Sequence, residues 1–152
     1  MYYIDIALLL STLLLLPGCA DPIEHHIARL VEGGEGAEEA KMELNLAKKT
    51  ATTPLIAAFQ NKAQPARARV DLAQALYRLY LREADQRILT ALAGGLEDET
   101  TEVRAGVVRA LGGLGKRQGI QPLLERLGHE TEDIVRREIL TAMELLAGTL
   151  RP

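Results

Sequence analysis

Tryptophan is absent from this chain, phenylalanine and cysteine each occur once, and the only serine, Ser11, precedes the only cysteine, Cys19. Each scarcity removes a class of function. One cysteine forms neither an internal disulfide framework nor a cysteine-rich zinc site, so stability has to come from packing. Nucleophilic hydrolysis needs a positioned Ser, Cys or Thr beside a base, and past Cys19 only threonine is left for that role. Aromatic residues make up 3% of the chain, too few for the row of rings on which single-stranded nucleic acid stacks. A formal net charge of −3 supplies no global basic field to steer such a ligand. Strand-like alternation of period two is nowhere sustained, which predicts almost no β-structure.

Repetition is what the chain has instead. Val103 to Gly115 reads VRAGVVRALGGLG, with variants at Ala68 to Tyr80 (ARVDLAQALYRLY) and Val135 to Ala147 (VRREILTAMELLA). The three starts, Ala68, Val103 and Val135, recur at a nearly constant interval. A period of this size marks stacked structural units, and 152 residues make one domain of them.

The first segment is separate from that pattern. Ala7 to Leu16 (ALLLSTLLLL) is an apolar run too short to span a bilayer as a helix and of the length of a signal-peptide core. Leu16-Pro17-Gly18-Cys19 then places a small residue directly before the cysteine and resembles the lipobox of bacterial lipoproteins. The resemblance implies that residues 1–18 are removed, that Cys19 receives a diacylglyceryl group, and that its new amine is acylated. Two or more chains, at about 0.8 kcal/mol per buried CH₂, anchor a protein stably where one does not. The expected address is the bacterial cell envelope, and Ala20 after the cysteine favours the outer membrane of a diderm. Loss of Asp5 with the leader changes the net charge from −3 to −2.

Behind the leader, local signals mark helices. Asp21-Pro22-Ile23-Glu24 reads as a helix start, ending near Gly33-Gly34. Ala37 to Lys49 is a second helix and a divergent first unit. Thr53-Pro54 and Gln64-Pro65 put proline at first helical positions, which predicts helices over Pro54 to Asn61 and Pro65 to Glu83. Asp85 to Ala93, Thr101 to Leu114, Ile120 to Leu127 and Glu132 to Ala147 continue the alternation. The expected organisation is a lipid-attachment and divergent helical unit over 19–52, repeats over 53–84, 85–117 and 118–148, and a tail over 149–152.

In register, the three long helices stay apolar at five rows. These are Ala68, Val103, Val135; Leu72, Val107, Ile139; Ala75, Ala110, Ala142; Leu76, Leu111, Met143; and Leu79, Leu114, Leu146. At 100° per residue all lie within about 100° of arc, the width of one buried face. The alanine row predicts a close approach of neighbouring helices. On the short helices Ile88, Ala91 and Leu92 align with Ile120, Leu123 and Leu124, and Leu55, Ala58 and Phe59 align with the former.

These residues resemble the HEAT-repeat family, including its short bacterial form related to the lyase-type HEAT-like repeats. Val103-Arg104 with Ala110-Leu111-Gly112, and Gly119-Ile120-Gln121-Pro122-Leu123-Leu124, carry the likeness, as does Val135-Arg136 with Ala142-Met143. The resemblance implies an all-α fold, a short right-handed α-solenoid of stacked antiparallel helix pairs. It also implies that Arg69, Arg104 and Arg136 reach acidic turn residues of adjacent repeats; Asp98 and Glu130 hold the acidic place and Ala63 stands there in the earlier copy. Arginine suits such a rim because its stem packs on apolar surface while its planar head makes several hydrogen bonds.

Little else in the chain promises chemistry. His25 and His26 point about 100° apart on a helix and do not share one metal as an i, i+4 pair does. His129 reads as solvated in a turn. Gly112-Gly113-Leu114-Gly115 ends a helix, whereas phosphate loops lead into one. Tyr77, Arg78, Tyr80 and Arg82 are the only aromatic and basic concentration, with Phe59 in addition. No catalytic residue, cofactor or metal is predicted, and no nucleic-acid partner is expected. The expected function is binding of a protein or peptide on the sides of the long helices opposite the core, at Asp71, Gln74, Arg78, Arg109, Glu138, Thr141 and Glu144. Self-association through the C-terminal repeat is a further expectation; Ile139, Leu140, Met143, Leu145 and Leu146 leave the last helix apolar over a wide arc, as in a stack that continues. The alternatives are a lyase-like or cofactor-handling enzyme subunit, or a terminal fragment of a longer solenoid.

Overall fold

The computed structural model describes residues 22–115 and 117–149. Cys19, the apolar run before it and Asp21 fall outside these residues. Among the described residues eight α-helices follow one another: α1 (Pro22–Glu32), α2 (Glu35–Asn45), α3 (Thr52–Gln60), α4 (Ala66–Glu83), α5 (Gln86–Gly95), α6 (Thr101–Gly113), α7 (Ile120–His129) and α8 (Asp133–Thr149). Single 3₁₀ turns occupy Lys49–Ala51 and Arg117–Gly119, and no strand occurs among the described residues.

The boundaries follow from local chemistry. Gly33 and Gly34 both take φ of 78° between α1 and α2, a left-handed turn that glycine adopts without steric cost. Pro65 is extended, at ψ 141°, and precedes α4 as its N-cap, one residue before the first helical position expected for it. Its fixed φ and missing N–H suit the place before a helix's own hydrogen bonds begin. Asp85 caps α5 by accepting from the Arg87 amide at 3.0 Å, which satisfies one of the free N–H groups of a helix start. Only Ala84 and Asp85 separate α4 from α5, and Ala84 is left-handed at φ 51°.

The hairpins stack into an all-α solenoid of two layers. In one, α4, α6 and α8 lie side by side, with α2 against α4; in the other, α1, α3 and α5 succeed one another less closely, and α5 meets the 3₁₀ turn Arg117–Gly119 that leads into α7. Helix α6 is the centre, flanked by α4 and α8 and backed by α5. Every residue of the five apolar rows is buried except Met143, which packs half-buried against the core. On the short helices the aligned residues are buried except Ala58 and Ile120, half-buried against the core, and Leu124. Leu124 aligns with the fully buried Leu92 and is yet 44% exposed, because α7 is the last described helix of its layer and no described element covers that side.

Glycines mark the close approaches between helices, and Ala142 of the alanine row meets one of them. A Cβ on Gly112 would lie 2.6 Å from that of Ala142, and one on Gly106 would lie 3.0 Å from Val70. Gly113 meets the Tyr77 ring at the same 3.0 Å. Of the alanines, Ala142 is the one at such a contact. Gly112 and Gly113 therefore close the last turn of α6 and admit its neighbours, and Gly115, at φ 61°, turns the chain.

Candidate functional site

Two of the three rim arginines, Arg69 and Arg104, are fixed first, because they join the units. Arg69 donates to Asp98 and, at 3.2 Å, to the Thr100 hydroxyl. Arg104 grips both oxygens of Glu130, Nε to Oε2 at 2.8 Å and Nη2 to Oε1 at 3.1 Å, and its remaining Nη1 reaches the Asp98 and Glu99 carbonyls. Each acid also serves its own turn: Asp98 accepts from the Thr100 amide, and Glu130 accepts from the amides of Thr131 and Glu132. Burial by itself raises the Glu130 carboxyl, but hydrogen bonds from Arg104, Arg126 and the Glu132 amide outweigh it and hold the group down at about 2. These arginines are structural joints. Arg136 keeps the bond within its own unit, to the Glu130 carbonyl at 3.0 Å, and is exposed.

Other candidates are absorbed by the fold in the same way. Tyr80 and Phe59 are buried in the core, and Arg82 caps the end of α2 through the carbonyls of Asn45 and Ala47 at 2.8 and 2.6 Å. The rings are therefore not arrayed along a groove. His25 and His26 meet edge to face, with centroids 5.8 Å apart, and His129 approaches Glu97 at 3.3 Å. Among the described residues no three His, Cys, Asp or Glu side chains converge as metal ligands.

What stays outward is one ribbon across α4, α6 and α8. Helix α6 is buried on every side except at Glu102, Arg109 and Gly113, with Thr101 half-buried at its start. Arg109 is the long side chain in the middle of that opening and pairs with Glu138 of α8 at 3.2 Å. Across α6 from it, Asp71 is half-buried and bonded to Lys41 of α2 at 2.6 Å. Gln74 is half-buried, whereas Arg78 and Thr141 are exposed, and among the described residues no carboxylate pairs with Arg78. Six of the seven expected contact residues thus share this ribbon. Glu144 stands apart. Its register equivalent on α6 is Gly112, which faces α8, so Glu144 lies on the open end of the stack.

A second concavity has no signal in the repeat pattern. Between α3 and α5 a groove of about 420 Å³ is lined by Thr53, Ile56, Ala57, Gln60, Arg87, Thr90 and Ala91. Small side chains at 57 and 91 leave room where the less closely packed layer separates. Of its alanines, Ala91 carried a signal only as part of the short helices' apolar face, and Ala57 only as a helix former.

Residues 52–144 match the profile of HEAT repeats. The chain belongs to the HEAT-repeat family. The match spans α3 to most of α8, so the divergent pair α1 and α2 lies before it. HEAT repeats generally mediate protein–protein interaction and are typically non-catalytic, since stacked hairpins build an extended surface. No curated protein matches the chain significantly.

Proposed function

We propose that this HEAT-repeat chain is a non-catalytic interaction module held at a membrane of the bacterial cell envelope by lipid on Cys19. Its outward ribbon on α4, α6 and α8 receives a protein or peptide. The observation that carries the reading is the division of labour among the basic residues. Arg69, Arg104 and Arg82 are consumed by joints and caps, while Arg78 and Arg109 stand outward on the ribbon beside Gln74, Glu138 and Thr141. Arg78 pairs with no carboxylate among the described residues and Arg109 is held only by its surface pairing with Glu138, a contact of small worth to the fold, so these charges are available to a polar partner. The tether rests on the apolar run and on Leu16-Pro17-Gly18-Cys19. Among the described residues no helix is long and apolar enough to cross a membrane, so attachment by the described body would have to be of another kind.

Site-specific photocrosslinking in intact cells tests the ribbon. A photoreactive residue at position 109 or 141 is expected to give one shared adduct band, and the same residue at the exposed Gln121 of α7 is expected to give none. Equal labelling from all three positions, or from 121 alone, would remove the assignment.

A further inference from the structure

We propose that the open end of the stack is a self-association surface, on which α8 packs antiparallel against α8 of a second copy about a two-fold axis near Leu140. The internal joints show what this side of a long helix is for. On α4 it carries Val70 and Tyr77, which touch Gly106 and Gly113 of α6. On α6 the equivalent side carries Ala105, Val108 and Gly112, all buried, with Gly112 against Ala142 of α8. On α8 the same positions are Arg137, Leu140 and Glu144, all exposed, with Leu140 at 50%.

The composition of this last row selects the occupant. A further unit of the internal kind would bring small apolar side chains and leave two charges buried without partners, which costs several kcal/mol per ion. The two charges are of opposite sign and sit on either side of Leu140. Their separation along the helix axis is about 10 Å, too far to pair within one chain. Antiparallel packing about Leu140 sets Arg137 of each copy opposite Glu144 of the other and brings the two leucines together at the axis. A two-fold interface demands this kind of self-complementary patch. A depression of about 510 Å³ lined by Asp133, Arg136, Arg137 and Leu140 leaves room for the leucine of the second copy. Among the described residues Arg136 and Arg137 bond only to backbone carbonyls, those of Leu127, Glu130 and Asp133, so their positive charge is open to an incoming carboxylate.

Co-capture of two differently tagged full-length copies from the same cells tests the arrangement. Wild type is expected to capture wild type. Arg137→Glu paired with itself opposes two carboxylates at each end of the contact, and Glu144→Arg paired with itself opposes two guanidinium groups. Each is expected to lose about tenfold or more, the equivalent of about 1.4 kcal/mol. The mixed pair, Arg137→Glu with Glu144→Arg, exchanges a like-charged contact for an attractive one and is expected to recover to within about twofold of wild type. That recovery also shows that both variants fold. Self-capture by either variant at the wild-type level, failure of the mixed pair to recover, or a wild type that does not capture itself would overturn the proposal.

Discussion

Arg104 and Glu130 meet as a two-pronged ion pair across the joint between two repeats, with the Glu130 side chain fully buried and that of Arg104 8% exposed. The same carboxylate accepts from Arg126 at 2.9 Å and from the Thr131 and Glu132 amides of the turn before α8. One side chain therefore orders that turn and neutralises the arginine of the preceding unit. Replacing Glu130 by Gln leaves Arg104 buried without its counter-charge. A loss of about 3–5 kcal/mol is expected, the usual cost of breaking a buried pair from one side. Urea unfolding followed by circular dichroism measures it, and a loss under about 1 kcal/mol would make the joint incidental.

The pH dependence follows from the same group. Its carboxyl is depressed from 4.5 to about 2 in the folded chain, so the unfolded chain takes up the proton first as pH falls. The contribution is fully present above about 4.5, declines below it, and is gone once pH has passed through about 2. The melting midpoint is expected to fall across that window in the wild type and to fall less in Glu130→Gln. Parallel curves for the two proteins would contradict the assignment.

Two glycines on different helices separate packing from helix propensity. Gly112→Ala drives a methyl to within 2.6 Å of the Ala142 side chain and 3.1 Å of its backbone, and is expected to destabilise by about 1–3 kcal/mol through overpacking. Gly94 lies within α5 and has nothing within 4 Å of an added Cβ. Gly94→Ala is expected to stabilise by about 0.5–1 kcal/mol, because alanine loses less backbone entropy in a helix. Thermal unfolding of the two variants should move in opposite directions.

The proposed membrane attachment rests on one group, the Cys19 thiol. Cys19→Ser is expected to shift the protein from the membrane pellet to the soluble fraction and to abolish labelling with a clickable fatty acid. Pelleting that persists without acyl label would mean that another feature holds the chain at the membrane.

Arg109 provides the cleanest separation of binding from folding. Its side chain is 51% exposed and its pairing with Glu138 is at the surface, so Arg109→Ala is expected to change stability by no more than about 0.5 kcal/mol. The photocrosslinked adduct formed from position 141 should nevertheless weaken. An unchanged adduct in this stable variant would take the arginine out of the binding surface.

The buried arc, the arginine beside it and the acid a short turn ahead of the valine were legible in the sequence, because each is a spacing within a single helix or its adjoining turn. Val103, Val107, Leu111 and Leu114 announce one face by period alone, and all four are buried. Which sides of two helices then meet is a relation between segments distant in the chain, and it depends on how closely their backbones approach. Tertiary structure alone decided that Gly112 receives Ala142, that α3 and α5 part to leave a groove, and that Glu144 belongs to the end of the stack rather than to the ribbon with Arg109. Helix periodicity sets the angle at which a side chain leaves its axis, and only packing determines what waits there.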